Sequence, residues 1–227
     1  MANVYVYNNQ NDTMEYYTLA ETDAMPYNIG RTLTVGEFRG SSRANTLWTT
    51  RRAMEAFNVT RNAWGRPIDV GYAFKRIWEG GHDPMSQHYA GVAFDAGQTL
   101  DSATRDRLRI TAAQTGVWTY VEPAYLTPTW VHMDARQIPP ACPNGGYPLV
   151  RSGSAGTYVL VLQDALNALG YTGSGLDGYF GAGTRNAVMR FQRAQGLGAD
   201  GIVGCNTWNA LTSMVAGIGQ TSTVVNP

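Results

Sequence analysis

All three histidines of the chain fall between His82 and His132, and two of them sit close to acidic residues. One patch reads Ser86-Gln87-His88-Tyr89-Ala90-Gly91-Val92-Ala93-Phe94-Asp95, and a later one reads Trp130-Val131-His132-Met133-Asp134. Two imidazoles and one carboxylate, on His88, His132 and Asp95, make a three-ligand zinc set. Three protein ligands leave one coordination position for water, which separates a catalytic zinc from a structural one. By residue type alone, histidines are more often ordinary surface or core side chains. The spacing raises the metal reading.

The elements around these residues must bring them together. His88 and Asp95, separated by small residues, suit a tight crossing in which a loop ends and a strand begins. The run 129–134 is β-prone, and on a strand His132 and Asp134 point to one face. His82 lies in a Gly-rich loop leading into the first patch. It either lines a substrate groove or is a loop histidine without partners, the commoner case. Trp64, Trp78, Trp118, Tyr120 and Trp130 read as core and groove walls. No Gly-rich phosphate loop, Gly-x-Ser-x-Gly elbow or Cys–His nucleophile pair occurs.

Composition bounds the function classes. A chain of 227 residues, 44% hydrophobic, holds one large domain or two small ones with a packed core. The formal net charge is zero, so no overall field favours nucleic acid or an anionic membrane. Of the 17 basic residues only Lys75 is a lysine. No apolar run is long enough to span a bilayer. The N-terminus alternates and reads as a first strand without a secretory signal. That suits a mature form, export by another route, or a phage-encoded enzyme released at lysis. Cys142 and Cys205 either pair or stay as buried thiols.

The chain divides at residues 138–149, which contain a run of four prolines and two glycines in eleven residues, 138–148; this is expected to be a linker. Residues 1–137 mix helices and strands: a helix beginning near Thr46, a strand at 67–72, a helix at 102–115 and a strand at 117–122. That pattern predicts an α+β domain. Residues 150–215 carry helical periodicity at 159–170 and 183–196, with Thr184 as candidate N-cap, and a short helix at 206–211. Asp177-Gly178-Tyr179-Phe180-Gly181 and Asp200-Gly201-Ile202-Val203-Gly204 echo one another between the helices. Residues 216–227 are expected to be a tail.

On these features residues 150–214 resemble a three-helix peptidoglycan-binding domain. The matching residues are Leu162-Gln163, the two Asp-Gly-x-x-Gly loops, Thr184, Phe191-Gln192 and Thr207-Trp208. The resemblance implies binding to bacterial cell-wall glycopeptide. Residues 33–136 resemble the zinc D-alanyl-D-alanine carboxypeptidase family, whose fold is shared with hedgehog-type domains, through Ser86-x-His88-x-x-Gly91-x-Ala93-x-Asp95 and Trp130-Val131-His132. This implies zinc on His88, Asp95 and His132 and peptidoglycan stem peptides as substrate. Two positions depart from the family. Thr129 stands where an acidic base is usual, and Ala73 follows Gly71-Tyr72 where an arginine is usual.

Amide hydrolysis still needs a group that moves a proton between water and leaving amine. Glu122 is the first candidate, at the end of a strand expected beside that of His132; a solvated turn residue is the alternative. Asp134 is the second, with orientation of an imidazole N–H as the alternative. Lys75 or Arg76 would steady an oxyanion or clamp a carboxylate, or simply be solvated. The sequence thus predicts a monomeric, secreted or wall-associated zinc peptidoglycan hydrolase cutting a stem or cross-bridge peptide bond. The alternative is a non-catalytic wall-binding protein with a degenerate peptidase domain; an amidase using the same site is a third reading.

Overall fold

The computed structural model describes residues 1–173 and 175–218. Residues 219–227, most of the expected tail, lie outside the described residues. The chain opens with a hairpin of β1 (Ala2–Asn8) and β2 (Thr13–Leu19). After a short helix α1 (Val35–Arg39), strand β3 (Thr46–Thr50) runs parallel to β1, giving the sheet order β2-β1-β3. The helix expected from Thr46 therefore starts later, as α2 (Arg51–Trp64). Three threonines and a tryptophan in five residues favour extended backbone, and pairing with β1 uses it. Thr50 ends the strand and caps the helix, its side chain accepting from the Ala53 amide at 3.1 Å.

A second sheet carries the candidate chemistry. It contains β4 (Val70–Tyr72), β5 (Ala93–Ala96), β6 (Tyr120–Val121) and β7 (Val131–Asp134), all antiparallel, in the order β4-β5-β7-β6. Helix α3 (Ser102–Gln114), capped by Asp101, packs beside β7. Its two buried arginines organise the loops. Arg105 donates to the carbonyls of Gly97, Leu100 and Pro128. Arg109 donates to the carbonyls of Glu122, Thr127 and Trp130 at 2.8–2.9 Å. A planar guanidinium with several fixed donors can hold one loop at several points, which a lysine ammonium does less well.

The C-terminal helices are α4 (Thr157–Ala168), α5 (Ala182–Ala194) and α6 (Cys205–Ile218). The last is far longer than expected and runs past residue 215. The two echoing loops are built alike. The buried Gln163 donates to Asp177 Oδ1, the Tyr179 carbonyl and Thr184 Oγ1, and accepts from the Gly178 amide. Gln192 repeats this with Asp200, Ile202, Thr207 and Gly201. Each glycine has a positive φ, 74° and 75°, which the turn requires. Thr184 is therefore not the N-cap: the helix begins at Ala182, and the Thr184 hydroxyl closes the glutamine network instead.

Residues 138–149 form no helix or strand, but they are no free tether. Tyr147 is fully buried against Tyr158 and Trp208, and Trp208 Nε1 donates to the Pro148 carbonyl at 2.8 Å. Cys142 and Cys205 are joined in a disulfide that pins the segment to α6. Between the two units lies a buried ion pair. Arg76, in the 3₁₀ turn beside Ile77–Glu79, donates Nε to Asp164 Oδ2 on α4 at 2.8 Å and Nη2 to Oδ1. Both side chains are at most 1% exposed. Arg76 is thus not a solvated charge but is committed to Asp164. Asp164→Ala would strand the guanidinium in the interior, and breaking such a pair costs about 3–5 kcal/mol. Chemical denaturation of the full chain would read this loss, and Val161→Ala offers a comparison for packing alone.

Candidate metal centre

The antiparallel register sets Asp95 on β5 directly opposite His132 on β7. His132 Nδ1 lies 2.7 Å from Asp95 Oδ1. His88 arrives from the loop before β5, its Nε2 3.3 Å from Asp95 Oδ2. That loop presses its backbone onto β3. Trp48 Nε1 donates to the Tyr89 carbonyl, and Thr49 Oγ1 to the Gly91 carbonyl. Gly91 has φ 66°, and a Cβ there would fall 1.9 Å from the Trp48 carbonyl oxygen, so no other residue fits without moving the loop.

The donor set suits a metal ion. One ligand atom each from His88, Asp95 and His132 lie within 4.8 Å of one another. His88 Nδ1 is 3.1 Å from the Ala73 carbonyl, so it carries the proton and leaves the Nε2 lone pair facing Asp95. His132 Nε2 is 3.1 Å from Asp134 Oδ2, which leaves Nδ1 as its ligand atom. Asp134 is fully buried and in turn held by Arg136, whose backbone N and Nε donate to Oδ1 at 3.0 and 2.7 Å. A carboxylate behind an imidazole fixes its tautomer and raises its basicity as a ligand.

The charges agree. Burial alone would lower the His132 pKa, but its hydrogen bonds to Asp134 and Asp95 prevail and raise it to about 9. Burial opposes ionisation of Asp95, yet hydrogen bonds to His132 and His88 hold it well below the usual carboxylate range. Asp134 behaves likewise, with Arg136 and His132 outweighing burial. With two ionised carboxylates beside it, His132 holds a proton that a metal ion at Nδ1 would displace.

A cleft of about 290 Å³ opens over them, and Glu122, Trp130 and Arg136 also line it. Glu122 is half-buried, and its amide donates to the His132 carbonyl at 2.9 Å, extending the β6–β7 ladder. Asp134 lies behind His132, outside the cleft lining. Thr129 is exposed and also outside it. His82 is not a partnerless loop residue. Its ring packs 4.3 Å from Tyr72 and 5.0 Å from His88, and burial with His88 lowers its pKa to about 4. The cation of the cleft is Arg136, which sequence reasoning missed; Lys75 does not line the cleft and Arg76 is committed to Asp164. The signal available was the spacing Asp134-x-Arg136, which puts both on one face at a strand end.

Purified protein is expected to carry about one zinc, lost in His88→Ala and His132→Ala variants, by elemental analysis with folding checked by circular dichroism. Asp134→Asn should retain the fold and weaken zinc affinity by about 10- to 100-fold, read by competition with a chromogenic chelator. Undiminished zinc in both alanine variants would overturn the ligand set.

Residues 155–211 match the family described as "Putative peptidoglycan binding domain". Among similar proteins, the zinc D-Ala-D-Ala carboxypeptidase of Streptomyces albus G is 48% identical over 63 residues, which are 26% of this chain and 24% of that one. The N-acetylmuramoyl-L-alanine amidase CwlL of Bacillus licheniformis is 42% identical over 79 residues, 32% of this chain and 22% of the other. The chain thus spans about a quarter or less of the length of these two relatives, and each stretch is too short to cover both units. Among solved structures, the SleB N-terminal domain is 34% identical, with a TM-score of 0.29, over 30% of this chain and 92% of that one. The likeness to a peptidoglycan-binding domain thus rests on residues 155–211, within the helical unit.

Proposed function

We propose that the protein is a zinc-dependent peptidoglycan hydrolase that cleaves a peptide bond of the stem peptide or cross-bridge. The observation that carries this reading is the convergence of His88, Asp95 and His132 at the base of a cleft that Glu122 also lines, in a chain with a peptidoglycan-binding domain. Zinc held there would supply Lewis-acid polarisation of a carbonyl and acidify water. Glu122 accepts a proton from the attacking water and returns it to the leaving amine. Arg136, anchored on Asp134, presents positive charge to the developing oxyanion or to a stem-peptide carboxylate. Asp134 is a positioning residue that orients the His132 ring. Residues 1–137 form the catalytic unit, and the enzyme acts outside the cytoplasm at the wall. Binding through the helical unit raises the local substrate concentration.

A second reading, a wall-binding protein with an inactive peptidase unit, is favoured by Thr129 at the position where the resembling family carries an acid. Mass spectrometry of products from defined muropeptides, with and without chelator, separates the two and identifies the bond, an amidase product included. Glu122→Gln keeps the side-chain shape and removes its basicity. It should keep zinc and lower turnover by about 10²- to 10⁴-fold. A wild type inert on every muropeptide would favour the second reading.

Wall binding is checked separately. Full-length His88→Ala is expected to pellet with insoluble peptidoglycan as the wild type does, without releasing fragments. Protein left in the supernatant would place wall binding at the metal centre instead.

A further inference from the structure

A second hollow, of about 460 Å³, lies between the two units. Asp83 and Met85 from the catalytic unit line one side, Asn209 and Ser213 on α6 the other, and Asn144 and Gly146 the floor. Asp83, Met85 and Gly146 line the metal cleft as well, so this second hollow adjoins the cleft and forms a groove beside it. We infer that this groove is a subsite for the peptide part of cross-linked peptidoglycan, with the wall-binding unit forming one of its walls. The occupant rests on the hydrolase reading above.

The groove is built, since its walls are tied at several points. The Cys142–Cys205 disulfide lies in its lining and joins floor to α6. The Gly146 carbonyl accepts from Gln87 Nε2 at 3.3 Å, and Tyr147 Oη donates to the Ser86 carbonyl at 2.8 Å. Tyr158 Oη on α4 donates to Gln87 Oε1 at 2.8 Å, coupling the helical unit to the residue next to the ligand His88. Gly146 has φ 98°, and a Cβ there would fall 2.6 Å from Met85 Sδ at the junction of the two hollows. Any side chain there would displace Met85 from its place in both linings.

The lining chemistry points to peptide. Side-chain amides of Asn144 and Asn209 and the Ser213 hydroxyl suit the N–H and C=O groups of an extended chain. Among the described residues Asp83 is the one charged side chain lining the second hollow, and it would accept an ammonium, such as the free amine of a diamino acid in a stem peptide. Among the described residues no aromatic ring lines the second hollow, so a sugar face has nothing to stack on there. A cross-linked peptide cut at the metal centre must continue past the cleft, and the groove offers it that path.

The experiment uses the full chain, isotope-labelled and zinc-free so that nothing is consumed. The side-chain amide signals of Asn144 and Asn209 are followed while a soluble muropeptide monomer, a cross-linked muropeptide dimer or a peptide-free glycan oligosaccharide is added. The dimer should shift both signals and the oligosaccharide neither. Ser213→Trp, at an exposed position of α6, should weaken the dimer by about tenfold and leave monomer affinity and zinc content unchanged, and Asp83→Asn should weaken the dimer by a similar factor. No shift with the dimer, or saturation by the oligosaccharide alone, would overturn the inference. If the wild type hydrolyses nothing yet the dimer still shifts both amides, the hydrolase reading falls and the groove stands. If hydrolysis proceeds while both variants bind and cleave the dimer as the wild type does, the groove falls and the hydrolase reading stands.

Discussion

The candidate centre depends on the register between β5 and β7. With Asp95 opposite His132, the carboxylate and imidazole meet on one face of the sheet. Side chains alternate along a strand, so a slip of one residue would send His132 to the other face and bring Val131 or Met133 in its place. The same alternation sets Asp134 two residues on, behind the ring it orients. The alternative faces are excluded by burial: Val131 and Met133 are fully buried. Hydrophobic packing on one side of the sheet thus places the ligands on the other.

Arginine does much of the remaining positioning. Arg105 and Arg109 hold the loops around β7 through backbone carbonyls, Arg136 locks Asp134, and Arg76 joins the units. Each role uses several donors in a fixed plane. This gives a physical reason for much of the near-absence of lysine in the chain: a single ammonium would not grip two or three carbonyls at once. Glu122 and Trp130 owe their places to Arg109, which stands outside the cleft lining and holds the carbonyls of both.

The units are not a hydrolase and a module on a string. The Met14 amide donates to Tyr179 Oη, and Tyr16 Oη donates to the Asp177 carbonyl, so the first of the two echoing loops is covered by the β1–β2 hairpin. The second loop, around Asp200, borders its own hollow of about 300 Å³. Duplicated sequence therefore has unequal surroundings. Contacts at this many points hold the helical unit against the candidate centre, where a flexible tether would only average the distance between them.

The sequence by itself determined the candidate donor residues, the α+β character of the first unit and the helical periodicity of the second, because these depend on local spacing and on side-chain chemistry. It also carried the Gln–Asp-Gly–Thr pattern that each echoing loop needs. Local signals misled at Thr46, where pairing with a strand some forty residues earlier overrode the helix that follows, and at Thr184, whose hydroxyl a distant glutamine claims. Only the tertiary structure decided that Arg76 faces Asp164, that Arg136 is the cleft's cation, that Thr129 stands outside and that Cys142 meets Cys205. Each of those outcomes depends on which distant group shares a buried site. Burial leaves a charge or a polar atom no option but the partner that packing brings to it.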